Sequence, residues 1–415
     1  MDKVKVALLW DESFLWGLMA LNSFMSLGVS TEVVLASEVK EGALDGCDVL
    51  FVPGGWASDK TRRLGPDGAE AVREFVKSGG SYMGFCGGAG LALDVEGGLA
   101  LTHVSRVPTA HRVPSFSGGM DLKPADKSHP LWKGVRQPYM FHAWWPGQFH
   151  MGDGEGIEVV ATYAGPGKDF CLADLPASDV ALYDDGWGRW EEAYGINLDP
   201  ARLAGEPAII ETKYGAGQVF LSYLHLETPG DRKGNRALVN AVEYLRPAGR
   251  RAKARTSPAR KTYPVSDDAV KASAELFAVA RDFILFGERN FLWYWRNGWM
   301  LQWRRGVRGV EYAMLYTMIK ELAGNLKAAR EYPAPELSAR VVELRDRALP
   351  FFEGAKALLL KERFALMNGR MSSISSSDPE VERLRLRLFS KSKRFGGEFK
   401  EILDLLDAAV LGTLR

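Results

Sequence analysis

The stretch Gly84-Phe85-Cys86-Gly87-Gly88 limits what this chain can fold into more than any other. A short apolar run through Tyr82 and Met83 bends at Gly84, presents Cys86, and continues into small residues suited to the start of a helix. This is the strand–nucleophile–helix layout of a G-x-C-x-G elbow. Glycines flank such a residue because its backbone is strained and its neighbours pack closely. A helix opening at Gly87 points unpaired N–H groups and a positive dipole end at the sulfur, which suits a nucleophilic cysteine. The other reading of Cys86 is a buried structural thiol, since free cysteine is often a small core residue.

The elbow lies within an alternating pattern. Residues 4–10 predict a buried strand, followed by polar Asp11-Glu12-Ser13 and an apolar helix over 14–27. A second strand is expected over 31–36, a third over 47–52 ending in Pro53-Gly54-Gly55-Trp56, and a helix over 68–78. Strands and helices alternating at this spacing predict β-α-β units in a doubly wound, mostly parallel α/β sheet of flavodoxin-like kind. Ligands bind such sheets outside the carboxyl ends of the strands. Asp11-Glu12, Gly54-Gly55 and Cys86 all fall there. From about 99 to 217 the chain is rich in Gly, Pro, Trp and His, which predicts loops and a small antiparallel section over the sheet edge. Residues 207–212 and 218–223 then read as a hairpin around Tyr214-Gly215-Ala216-Gly217, leading into Leu224-His225-Leu226-Glu227.

These pieces carry a resemblance. The Pro53-Gly54-Gly55 loop, the Gly84 to Gly88 elbow and the Tyr-Gly-x-Gly strand running into His225-Leu226-Glu227 resemble the class I glutamine amidotransferase-like superfamily. Within it, residues 1–246 are most similar to the amidotransferase-like domain at the N-terminus of some biotin–protein ligases. The resemblance implies an amidotransferase-like fold and a Cys–His–Glu triad of Cys86, His225 and Glu227. The same triad follows from chemistry, because a thiol attacking a carbonyl needs a base and a group that orients the base. His225 and Glu227 lie two apart, on one side of an extended segment. The backbone N–H groups of Gly87 and of Gly54-Gly55 are candidate oxyanion donors. The bland alternatives are a hydrogen-bonded loop histidine at 225 and a helix N-terminal charge at 227. One departure stands out: glutaminases of the family carry Gln four residues after the nucleophile, and here that residue is Gly90, which speaks against glutamine hydrolysis. Neither an ammonia-accepting synthetase domain nor a biotin-transferring domain is evident after 246. Weaker substrate-binding candidates are Asp11, Glu12, Trp56 and His142. Asp11 or Glu12 could polarise Cys86, as an acid after the first strand does in ThiJ-like relatives, or simply cap the following helix.

At 415 residues the chain suggests two domains. Residues 247–265 read as a basic linker, with Arg250, Arg251, Lys253, Arg255, Arg260 and Lys261 among Pro, Ala and Ser. Residues 266–415 predict an all-α bundle with helices over about 267–287, 289–330, 334–369 and 378–412. Phe291, Trp295, Trp299 and Trp303 recur every four residues and predict one aromatic stripe on the second of these. The stripe is either bundle core or a face for a partner or membrane surface, with Arg296, Arg304, Arg305 and Arg308 beside it.

A net charge of +1 gives no pull towards nucleic acid. Three cysteines without metal-ligand spacing, and histidines without i, i+4 pairing, predict no disulfide framework, no metal and a reducing cytoplasm. No signal-peptide pattern or membrane-spanning run is expected, and no cofactor. The expected activity is cysteine-dependent hydrolysis or acyl or amido transfer on a small-molecule or peptide-like amide. The alternatives are an inactive ligand-binding or regulatory module, and a scaffold whose Trp-rich helical domain binds a protein partner or membrane surface.

Overall fold

The computed structural model describes residues 3–183, 185–247, 261–369, 376–391 and 394–415. Most of the expected basic linker, residues 248–260, lies outside the described residues. Two compact units are present, Met1–Thr256 and Ser257–Arg415.

In the first unit the chain runs through β1 (Lys5–Leu9), α1 (Phe14–Ser26), β2 (Ser30–Val34), α2 (Ala36–Val39), β3 (Val49–Val52), α3 (Ala57–Lys77), β4 (Ser81–Phe85) and α4 (Gly87–Ala92). The covering section contains β5 (Ser105–Arg106), β6 (Phe116–Pro124), β7 (Tyr139–Trp144), β8 (Phe149–His150), β9 (Ile157–Pro166), β10 (Cys171–Leu172) and β11 (Leu175–Pro176). Short helices α5 (Ala177–Val180) and α6 (Gly188–Tyr194) follow, then β12 (Pro207–Tyr214), β13 (Gly217–Ser222), β14 (Leu224–His225) and α7 (Arg232–Tyr244).

The main sheet has the order β11-β10-β6-β9-β12-β13-β4-β3-β1-β2, with β7 and β14 attached beside it. From β13 to β2 all pairs are parallel. Among them β1 and β3 read Val-Ala-Leu-Leu and Val-Leu-Phe-Val because both their faces are covered, so polar residues have nowhere to point. Beyond β13 the pairs turn antiparallel, through the β12–β13 hairpin and then β9 and β6. The helix expected over 68–78 starts earlier, at Ala57, and kinks at Gly65 (φ 64°) before Pro66. Its first segment buries Lys60 completely, with Nζ donating to the Asp11 carbonyl at 3.1 Å and to the Ser13 hydroxyl.

The second unit is mainly helical. It comprises β15 (Tyr263–Pro264), α8 (Asp267–Arg289), β16 (Trp293–Trp295), β17 (Leu301–Trp303), α9 (Gly309–Ala328), β18 (Glu331–Tyr332), α10 (Leu337–Met367), α11 (Pro379–Phe389) and α12 (Gly397–Leu414). The single helix expected over 289–330 does not form. Phe291 takes a left-handed φ of 56° after α8, and residues 293–303 make a hairpin in which Trp293 opposes Trp303. Asn297 turns it, its Oδ1 accepting the amides of Trp299 and Met300 at 2.9 Å. A helix here would also have to accommodate Gly298 and Gly306, each unfavourable by about 1 kcal/mol against Ala. The aromatic stripe is therefore replaced by strand alternation, Trp293 buried and Tyr294 exposed. Trp293 packs against Phe283 and Tyr312 in the helical core. Arg308 lies 4.7 Å from the Phe389 ring centroid and pairs with Glu311. The helix expected over 378–412 is likewise two helices, broken after Phe389 where Ser390 has φ 61°.

Close packing around the elbow generates a test. A Cβ on Gly88 would sit 1.9 Å from the Val52 carbonyl oxygen, whereas one on Gly90 would meet nothing nearer than the Ala57 Cβ at 3.7 Å. Gly88→Ala should lower the unfolding free energy by about 1–3 kcal/mol or more, and Gly90→Ala by no more than about 0.5 kcal/mol. Urea denaturation of the two variants checks this, and equal effects would contradict it.

Candidate active site

Cys86 sits between β4 and α4 with φ 50° and ψ −105°, a left-handed conformation strained for any residue with a Cβ. Its amide still donates to the Ser222 carbonyl at 2.8 Å, so strand pairing persists up to the thiol. Neighbouring backbones are pressed against it. A Cβ on Gly87 would lie 1.8 Å from the Gly55 carbonyl oxygen, and one on Gly84 2.5 Å from that of Gly88. Of the three cysteines, Cys47 and Cys171 are buried and Cys86 is partly exposed. Its Sγ donates to the Trp144 carbonyl at 3.9 Å.

β13 runs parallel to β4 and ends at the same edge of the sheet, so the residues just beyond it arrive beside Cys86. His225 and Glu227 are both fully buried, with the imidazole Nδ1 2.7 Å from the Glu227 Oε1. Glu227 therefore orients the ring and does not cap α7. That cap is Asp231, whose Oδ1 accepts the amides of Lys233 and Gly234. The loop is held on several sides. The Thr228 hydroxyl donates to the His225 carbonyl at 2.9 Å and accepts from Trp144 Nε1 at 3.3 Å. Ser23 donates to the Glu227 carbonyl at 2.8 Å, and Asn235 donates to the carbonyls of Leu226 and Thr228. The Trp144 ring packs edge-on to His225, 6.2 Å between centroids.

Nε2 of His225 is enclosed and makes no hydrogen bond of regular geometry. Burial alone would push the imidazole pKa down. The Glu227 charge, hydrogen bonding to Cys86 and Glu227 and the charge on Cys86 outweigh it and raise the pKa from 6.5 to about 10.

Gly55 has φ 106°, and a Cβ there would meet the Glu12 carbonyl oxygen at 2.2 Å. One on Gly54 would meet the Trp16 ring at 2.7 Å. The glycine loop is thus wedged between the β1 loop and Gly87. Neither the Gly55 nor the Gly87 amide has a hydrogen-bond partner among the described residues. The weaker candidates are mostly occupied. Asp11 Oδ2 accepts the Ala36 amide at 2.7 Å, so it caps α2, not the helix that follows it. Glu12 is buried and pairs with Arg63 at 3.0 Å. Trp56 is half-exposed at the start of α3. His142 stands opposite His225 in the β7–β14 ladder, its Nδ1 3.0 Å from Asp231 Oδ2. No group of three or more metal-ligating side chains occurs among the described residues, and no helix among them is long and apolar enough to cross a membrane. Trp144 and Thr228 carry no motif, and only the pairing of β7 with β14 reveals them.

Residues 18–94 match the family model for the N-terminal region of biotin-protein ligase, a span that holds the glycine loop and the elbow. The resemblance is to the class I glutamine amidotransferase-like superfamily. Among solved structures, PurLQS from Thermotoga maritima is similar at 14% identity, with 59% of this chain and 100% of that one covered and a TM-score of 0.41. A glutamine amidotransferase from Thermotoga maritima is similar at 13% identity, over 59% of this chain and 83% of that one, with a TM-score of 0.33. None of the curated proteins matches the sequence significantly.

The raised imidazole pKa fixes the sign of a pH dependence. The native state binds the His225 proton more tightly than the unfolded chain, so this contribution to stability is complete below 6.5 and is lost as pH rises towards about 10. The difference in unfolding free energy between the native protein and His225→Gln should shrink steadily across that interval. Urea titrations at several pH values measure it, and a constant difference would mean that the ring does not titrate there.

Proposed function

We propose that the first unit is a cysteine-dependent hydrolase or acyl transferase acting on an amide-type substrate, with Cys86 as nucleophile, His225 as base and Glu227 as the group that orients it. The observation that carries this reading is the fully buried His225–Glu227 pair, 2.7 Å apart, placed against a strained and partly exposed cysteine. In the proposed reaction Cys86 Sγ attacks the acyl carbon as a thiolate, its proton already held by His225 as an imidazolium. The oxyanion is received by the amides of Gly87 and of the Gly54-Gly55 loop. Collapse expels the amine, which takes the proton from His225, and water or another acceptor then cleaves the thioester. Gly90 offers no side chain to hold a glutamine amide, which speaks against glutamine as the substrate.

We also propose that residues 1–246 and 266–415 fold as separate domains joined by the basic stretch between them. Trypsin should cut first within that stretch and leave two stable fragments. Joint degradation of both halves would show one cooperative unit.

Alkylation rates test the site without the substrate. Cys86 should react at neutral pH at least about tenfold faster than Cys47 or Cys171. His225→Ala should remove most of that advantage and Glu227→Gln part of it. The double variant should be little worse than His225→Ala, because the pair acts as one unit. Unchanged rates in both single variants would reject the triad. Ammonia release from glutamine should be absent or slight, and robust turnover would overturn the reading of Gly90.

A further inference from the structure

The loop after the elbow brings a second set of polar groups to Cys86. In the β5–β8 ladder Arg106 stands opposite Phe149. The Phe149 ring lies 4.2 Å from that of Tyr223, two residues before His225. The chain then reaches Arg112, whose carbonyl accepts from Asn197 Nδ2 at 3.0 Å, while the next amide, Val113, donates to Gln148 Oε1 at 2.7 Å. The backbone at Arg112 is thereby held on both sides, and the side chain is half-buried. Its Nε is enclosed without a hydrogen-bond partner, and so are the hydroxyls of Tyr163 and Tyr223, each 1% exposed. Polar atoms enclosed in this way belong to groups that a ligand or ordered water completes. Arg106 and Arg112 form no ion pair among the described residues.

We propose that Arg112, with Arg106 at the rim and the Tyr223 hydroxyl, forms an oxyanion-binding subsite beside Cys86, so that the acyl compound attacked there carries a carboxylate or phosphate group. The proposal rests on Cys86 being the nucleophile. Its electrostatics agree with the geometry. Burial lowers the Arg112 pKa and the like charge of Arg106 lowers it further, while Tyr223 and Cys86 oppose this. Burial raises the pKa of Tyr163 and of Tyr223, which keeps both hydroxyls protonated as donors at neutral pH. A half-buried guanidinium without an ion-pair partner, carrying the like charge of Arg106 against it, is unfavourable by itself. A bound oxyanion relieves it through charge-assisted hydrogen bonds to a planar fork.

The test compares alkylation of Cys86 by iodoacetate, which is anionic, and by iodoacetamide, its neutral analogue, with each thiol followed by mass spectrometry. The ratio of the two rates in the native protein should exceed that of the urea-unfolded chain about tenfold. Arg112→Gln should bring the ratio close to the unfolded value, Arg106→Gln should lower it partly, and Arg112→Lys should keep much of it. Sodium acetate and inorganic phosphate are then tried separately as protectants against iodoacetamide. Protection by one and not the other identifies the oxyanion. A native ratio equal to that of the unfolded chain, without protection by either salt, overturns the subsite, and it needs no variant to be folded. The two readings fail separately. Iodoacetamide rates that ignore His225→Ala reject the triad, while the ratio of reagents reports on the arginines.

Discussion

The parallel pairing of β4 with β13 is the constraint on which the rest of the site depends. Register brings Gly84 opposite Leu221 and Phe85 opposite Ser222, and the pairing ends on the bond from the Cys86 amide to the Ser222 carbonyl. Both strands run the same way, so both deliver their next residues to one edge. For β4 those residues are the elbow, and for β13 they are Tyr223 and the segment that carries His225. An antiparallel neighbour would have carried its following residues to the opposite edge. The antiparallel pairing of β14 with β7 then adds Trp144, whose carbonyl and indole reach Cys86 and Thr228 respectively.

Little of this arrangement exists for stability. A left-handed cysteine is unfavourable by about 1–3 kcal/mol, and a buried histidine–carboxylate pair is weak evidence of net stabilisation because desolvating both groups opposes their attraction. The surrounding structure holds these groups by close contact. Backbone oxygens of Gly55, Gly88 and Val52 occupy the places where side chains would stand on Gly87, Gly84 and Gly88. Interiors packed so tightly transmit small displacements, so the glycines serve geometry more than chain freedom. A fold that needed only a core could have placed an ordinary apolar residue at 86.

The sequence made the elbow legible because its constraint is local: a strained residue needs small neighbours on both sides, and they are adjacent in the chain. The parallel strands were legible for a similar reason, as uninterrupted apolar runs. His225 and Glu227 were reached through spacing and resemblance, since nothing local distinguishes them from a loop histidine and a capping acid. Trp144 and Thr228 escaped notice because they meet across 84 positions, and Arg112 because its backbone partner Asn197 lies 85 positions away. The Trp-rich segment misled for another reason. A spacing of four is even, so Phe291, Trp295, Trp299 and Trp303 share a face on a strand as readily as on a helix. The turn signal of Asn297-Gly298 decided between the two periods, and it outweighs the aromatic recurrence because a left-handed or side-chain-bonded turn cannot be absorbed within a helix.

Gly90 shows how absence and presence combine in the site. Packing does not require glycine there, because a Cβ would find ordinary contact at 3.7 Å from Ala57. The missing side chain therefore leaves room on α4, the helix that starts beside Cys86. The covering section supplies Arg112, its carbonyl held by Asn197 and the next amide, Val113, by Gln148, contacts that depend on neither charge nor substrate. On the proposed reading, a site with no side chain at 90 and a guanidinium near the thiol discriminates by charge more than by shape. In water-poor surroundings one fixed cation separates an anionic from a neutral ligand more sharply than a neutral hydrogen bond does. On the proposed reading, the amidotransferase-like framework supplies the attacking geometry, while residues outside its motifs set which acyl compounds reach the sulfur.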